Sequence, residues 1–235
     1  MVHVHARNQD GEATDNADIF REILTGIRTH CPDVILVTST SGRRVGEVER
    51  RASTLFLEGV AKPDMASLTL GSINFSAETS INEPATIIRL AEIMKEHGIK
   101  PEMEIFDLGM INIAHMLINK GLLEPPYYFN IILGNIASAQ VSLHHLAALV
   151  TDLPEQSIWS VGGIGRFQLQ ANGLGLILGD GVRTGLEDNI WLDEARTRLA
   201  SNADLVQRMV DLASIHGRAI ASPVEVRNRL GLGGS

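Results

Sequence analysis

Only one cysteine, Cys31, occurs in the 235 residues, so no intrachain disulfide can form and a reducing compartment is the expected setting. Positive charge is also scarce. Against 28 Asp and Glu stand 20 Lys and Arg, a formal net charge of -8, which argues against nucleic acid or an anionic membrane surface as the main partner. That balance says little about small ligands, because local charge in a pocket can oppose it. No apolar run approaches the roughly 20 residues that a bilayer span needs. Met1 leads straight into an apolar alternation rather than into the charged and apolar regions of a signal peptide. These absences make the cytoplasm the expected location. No strand-like run is followed by GxGxxG or a Walker loop, which counts against a doubly wound nucleotide-binding sheet.

What the sequence does contain is a repeated pattern: a short apolar run, a small or polar loop, then an amphipathic segment. The runs are VHVHA from Val2, VILVTST from Val34, MASLTLG from Met65, EMEIFD from Glu102, YFNIILG from Tyr128, IWSVGG from Ile158 and VRTGL from Val182. They are short, rich in β-branched and apolar residues, and followed by turn formers, as buried parallel strands are. Between them, residues 18–30 carry Ile19, Phe20, Ile23, Leu24 and Ile27 on one helical stripe, with Asp15 or Asn16 as cap. Residues 83–97 form a second helix with Pro84 at its start and Gly98 at its end. Residues 193–216 form the longest periodic stretch, and a short helix from Ser222-Pro223 leads into the tail over 222–235. The regular alternation favours one α/β domain over 1–235, a TIM (β/α)8-type barrel. Seven runs, in a chain shorter than the ~250 residues typical of that barrel, imply that the first β-strand/α-helix unit is lacking, so the expectation is an N-terminally shortened barrel.

Alternate side chains of a strand share a face, so His3, His5 and Arg7 point one way. Two neutral imidazoles on one strand can reach a common metal; equally, they can be a hydrogen-bonded pair in a cleft. A third ligand could come from GVRTGLEDN, residues 181–189, where Glu187 and Asp188 follow a buried strand at the end where barrel sites sit. One of these carboxylates can ligate while the other acts as a base; alternatively, they cap a following helix. Arg183 within that strand requires an acidic partner or an anionic ligand. Glu104, between Met103 and Ile105, should be buried and meet a cation, a metal or a neighbouring arginine. Thr38 to Gly42, Ser67 and Thr69 place further polar groups at strand ends. In GGIGRF, the amides around Gly163 and Gly165, with Arg166, can hold a phosphate or simply form a tight turn. Glu47, Glu49, Arg50 and Arg51 read as a solvated helix start without chemistry, and His144-His145 as helix surface.

With HVHARN, TSTSGR, KPDMASLTLGSINF, NEPATI, KPEMEIFDLGM, GGIGRFQ and VRTGLEDN in order along nearly the whole chain, the sequence resembles the β-keto acid cleavage enzymes. The resemblance implies a zinc-dependent barrel that condenses a β-keto acid with acetyl-CoA to give acetoacetate and a new acyl-CoA. It implies His3, His5 and Glu187 as Zn2+ ligands, Asp188 as general base and Arg183 as the residue that orients or tunes it. Ser39 and Ser67 match strand-end positions near the substrate, and Glu104 matches a carboxylate that contacts a distal substrate amine. The same resemblance implies a homotetramer. It also implies that a preceding βα unit, which supplies an acidic site residue, is absent. Two other readings stand beside it: a metal-dependent barrel hydrolase, and an inactive shortened paralogue acting as a partner subunit.

Overall fold

The seven apolar runs pair side by side in the order in which they occur. The computed structural model describes residues 1–43 and 46–233; the last two residues of the tail, 234–235, lie outside them. Strands β1 (Val2–Val4), β2 (Leu36–Thr38), β3 (Met65–Thr69), β4 (Lys100–Ile105), β5 (Tyr127–Leu133), β6 (Ser157–Gly163) and β7 (Gly181–Val182) form one sheet in that order. Every neighbouring pair is parallel. Each crossover therefore has to return over the sheet. Five of the six crossovers use helices: α1 (Ala17–His30), α2 (Pro84–Glu96), α3 (Leu108–Asn119), α4 (Leu143–Asp152) and α5 (Gln168–Leu178). The β2–β3 crossover has only short turns of helix, including Val48–Arg51. Helices α6 (Asn202–Ile215) and α7 (Pro223–Leu230) follow the last strand. This is the TIM-barrel type of α/β architecture, with seven strands in its sheet among the described residues and two small antiparallel hairpins, Ala6–Arg7 with Ala13–Thr14 and Ile73–Asn74 with Thr79–Ser80, outside it. No described helix is long and apolar enough to cross a membrane.

The main core fills the space between strands β3 to β6 and helices α2 to α5, around Leu68, Leu90, Met94, Met103, Phe129 and Ile131. A separate cluster seats Phe20 and Leu24 of α1 against Val4 and Leu36. Asn16 is the residue that caps α1, its side chain accepting from the Asp18 N–H, while Asp15 pairs with Arg50. A third cluster joins Ile35, Val37, Met65 and Tyr128 of the sheet to Leu230 of α7. Parallel register places paired residues on one face, so Thr69, Glu104, Asn130 and Ser160 form a polar row across four strands.

Helix α7 is fastened by charge as well as by Leu230. Arg227 donates to both oxygens of Asp64, at 2.8 and 3.0 Å, and Arg28 of α1 donates to the same carboxylate at 3.0 Å. Burial alone would raise the Asp64 carboxyl, but Arg227, the Leu36 N–H and Arg28 outweigh it and hold it below the usual range. A depressed carboxyl contributes stability above its unfolded pKa of about 3.9 and loses it as pH falls through the folded value. Asp64→Asn should therefore cost about 3 kcal/mol at neutral pH, since removing one member of a buried ion pair strands the others. That loss should shrink in acid denaturation curves taken below about pH 4.

Three expectations are corrected. The strand expected over Val182 to Leu186 is regular only at Gly181–Val182, with one further bond from the Arg183 N–H to the Val161 carbonyl. Beyond it, the Gly185 carbonyl is taken by the N–H groups of Asp188 and Asn189 and by Gln168 Nε2, which turns the chain out of the ladder. The helix expected from 193 begins only at Asn202. There Ser201 and Asp204 form a reciprocal capping box. The Asp193 carboxylate instead accepts from the N–H groups of Thr197 and Arg198, and Arg196 has φ 57°, so 190–201 is a closed loop. Arg51 is not solvated. It is 4% exposed, donating to the Thr40 and Ile81 carbonyls and to Asn82 Oδ1, and burial without an acid pushes it down to about 10.

Candidate metal centre and acid–base site

The histidines of the first strand meet the carboxylates that follow the last one. His3 lies within β1 and His5 just beyond it, their rings stacked at 5.1 Å between centroids. Arg7 does not join them: its guanidinium bonds the Gly11 carbonyl in a small exposed hairpin. His3 Nδ1 is 2.5 Å from Glu102 Oε2, and the other Glu102 oxygen accepts from Asn130 Nδ2 at 2.6 Å. Asn130 in turn accepts from the Ser160 hydroxyl, which accepts from the Tyr128 hydroxyl at 3.1 Å. This buried chain of donors fixes the orientation of the His3 ring.

The second His3 nitrogen, Nε2, is buried and has no hydrogen-bond partner. An orphaned buried polar atom is costly and uncommon, so its position calls for an occupant. Donor atoms of His3, His5 and Glu187 all lie within 4.8 Å of one another, with His5 Nε2 2.8 Å from Glu187 Oε1. A second group, His3, Glu102 and Glu104, satisfies the same distance, but there Glu102 is bonded to the opposite ring nitrogen, Nδ1 of His3, and not to the unpartnered Nε2. Two imidazoles and one carboxylate suit zinc and leave a fourth position open. The electrostatics also favour a cation. Burial disfavours the His3 imidazolium, yet Glu102, assisted by Glu187, outweighs burial and pushes it up to about 9.

Arg183 organises the acids. Its Nε donates to Asp188 at 3.0 Å, Nη1 to Glu104 at 2.8 Å and Nη2 to Glu187 at 2.6 Å. Burial opposes its charge, but Asp188, Glu187 and Glu104 outweigh burial and hold it well above the normal value. Burial likewise opposes ionisation of Glu187, but Arg183 and His5 hold it well below the usual carboxylate range. Asp188 behaves oppositely: burial, reinforced by Glu187, raises its carboxyl despite the ion pair with Arg183. Adjacent residues thus have proton affinities moved apart, one suited to ligation and the other to proton transfer.

A cleft opens over these groups, lined by His5, Ser39, Thr69, Glu104, Arg183, Glu187 and Asp188. Ser41, Arg43, Phe75 and Phe106 also line it. Ser67, expected near the substrate, is buried and is not among the lining residues; its hydroxyl accepts from the Thr40 N–H and so holds the Ser39–Gly42 loop. Arg51 supports the same loop from below, and a Cβ at Gly42 would come 2.7 Å from its Nη1. The Gly163–Arg166 turn packs beside the site rather than into it. A Cβ at Gly163 would meet Ala171 and the Phe167 carbonyl at 2.7 Å, and the Gly165 N–H donates to the Asp188 carbonyl at 2.7 Å. Arg166 is exposed and outside the cavity lining. Sequence reasoning assigns no role in the site to Glu102, Asn130 or Arg51. The His3–Glu102 pairing depends on strands 99 positions apart, and only the polarity of Glu102 within an apolar run signalled it.

A family model described as beta-keto acid cleavage enzyme matches residues 1–232. The chain belongs to the β-keto acid cleavage enzyme family. Within the family, it is 39% identical over 235 residues to the 3-keto-5-aminohexanoate cleavage enzyme of Fusobacterium nucleatum, covering 99% of this chain and 83% of that one. It is 38% identical to the 3-oxoadipate:acetyl-CoA acetyltransferase of Cupriavidus necator, over 99% of this chain and 81% of that one. Among solved structures, apo ObcA shares the fold with a TM-score of 0.82 at 21% identity, over 100% of this chain and 61% of that one. The chain therefore spans about three fifths of ObcA.

Proposed function

We propose that this member of the family exchanges the acyl group of a β-keto acid with acetyl-CoA, giving acetoacetate and a new acyl-CoA, at a zinc centre held by His3, His5 and Glu187. The observation that carries the zinc assignment is His3 Nε2, buried, unpartnered and within reach of His5 and Glu187. Zinc there would supply Lewis-acid polarisation of the keto oxygen. Asp188 takes the proton from the carbon between the two carbonyls, and Arg183 holds its carboxylate in position. The carbanion attacks the thioester carbonyl of acetyl-CoA, a C–C bond forms, and the C–S bond breaks to release CoA thiolate. The thiolate attacks the original keto carbon, the older C–C bond breaks, and Asp188 returns its proton to the acetoacetate carbanion. Ser39 lines the cavity, where its hydroxyl is the donor we assign to the substrate, and the turn with Gly163, Gly165 and Arg166, beside the cavity, is where we place the CoA phosphates.

The barrel hydrolase is disfavoured because His30, His97, His115, His144, His145 and His216 all lie on helices or at helix ends. The chain should retain one zinc and release acetoacetate when a β-keto acid is mixed with acetyl-CoA. Protein that takes up no zinc and yields no acetoacetate with any β-keto acid would overturn the assignment. Glu102→Gln, which removes the charge behind His3, should weaken zinc binding about 10- to 100-fold in competition with a chelating dye.

A further inference from the structure

Two charged side chains of the cavity differ in how the protein holds them. Glu104 is committed to the protein. One of its oxygens accepts from Arg183 Nη1 at 2.8 Å and the other from the Thr69 hydroxyl at 2.7 Å, so its charge is already matched by a cation of the chain. Arg43 is in the opposite condition. It lines the same cavity, yet among the described residues no carboxylate forms an ion pair with it. Its guanidinium carbon lies 4.1 Å from the centroid of the Phe75 ring, and Phe75 is itself braced edge-on against Phe106 at 5.8 Å. Stacking on an aromatic face holds a guanidinium while leaving its N–H edge available, and among the described residues no side chain accepts from that of Arg43; such an edge receives a carboxylate in two parallel hydrogen bonds.

We propose that Arg43 is a specificity-determining residue that selects β-keto acids carrying a second carboxylate at the far end, so that the substrates are 3-oxo dicarboxylic acids. This rests on the acyl-exchange reading above and names the substrate class for it. The chemistry Arg43 recognises, an oxyanion, also occurs in the phosphates of CoA, and the test separates the two sources.

Three six-carbon acids of equal length supply the comparison: 3-oxohexanedioate, 3-oxohexanoate and 5-amino-3-oxohexanoate. Their binding to the zinc-loaded full chain is measured by titration calorimetry, and acetoacetate release is measured in parallel with acetyl-CoA. The dianion should bind about 10- to 100-fold more tightly than the monoanion 3-oxohexanoate, whose tail is uncharged, as one charge-assisted pair warrants, and the amine should bind least. Arg43→Met should bring the dianion-to-monoanion ratio close to one, chiefly through KM, and Arg43→Lys should retain part of the preference. Equal binding of the three acids by the parent chain overturns the proposal without any need for the variants to fold. So does an Arg43→Met protein that keeps the ratio and loses affinity only for acetyl-CoA, which assigns Arg43 to the CoA phosphates. Dianion-selective, Arg43-dependent binding without acetoacetate from any acid upholds the recognition and overturns the acyl-exchange reading instead.

Discussion

Asp188→Asn should reduce acetoacetate formation about 1,000-fold, in the middle of the range for removing a positioned general base. The amide keeps the shape of the carboxylate and can still accept from Arg183 Nε, now 3.0 Å away, so the fold and the His3, His5 and Glu187 cluster should persist. What it cannot do is take a proton. The decisive measurement is hydrogen–deuterium exchange at the carbon between the two carbonyls of a bound β-keto acid, followed without acetyl-CoA. Loss of exchange with zinc content intact assigns the proton transfer to Asp188. Exchange at the parent rate would remove Asp188 from that role.

Arg183→Met should have the largest effect on stability. One guanidinium, 10% exposed, serves Glu104, Glu187 and Asp188, and removing it leaves three carboxylates facing one another in a cleft. Stranding the partners of a buried ion pair costs about 3–5 kcal/mol, which for a chain of this size lowers Tm by about 10 °C. Lysine should not rescue, because a single ammonium cannot present three donors along the directions that Nε, Nη1 and Nη2 use. Glu104→Gln added to Arg183→Met should recover part of the loss, since it removes one of the unmatched charges. Additive destabilisation in that double mutant would show that the three acids do not share Arg183 as their counter-ion.

Much of the fold was legible in local pattern. Buried parallel strands have to be short apolar runs, and all seven runs became strands of one sheet in chain order. Helix starts were legible for the same local reason: Asn16 and Ser222 as caps and Pro84 as a first helical residue sit where their backbone preferences place them. Where local pattern failed, a competing bond from outside the window won. Asp193 looked like part of a helix but accepts from N–H groups four and five positions on, and Leu199 of the same stretch is 66% exposed. Arg51 looked solvated because its acceptors, two carbonyls and the Asn82 amide, carry no charge pattern and two of them lie about 30 positions away.

The sequence by itself determined the residue types at the ends of the strands: HVH at one end of the chain, RTGLED at the other, and a carboxylate within an apolar run between them. Each motif is local, and the periodicity of a strand decides which of its side chains share a face. Only the tertiary structure decided how those residues divide their bonds. The sheet brings Glu102 behind His3, leaving Nε2 of that ring without a partner. It also gives both oxygens of Glu104 to Arg183 and Thr69, and leaves Arg43 over the Phe75 ring with no carboxylate ion-paired to it among the described residues. Hydrogen-bonding capacity is finite, and whether a side chain spends it on the protein or keeps it for a ligand depends on neighbours that chain order does not specify.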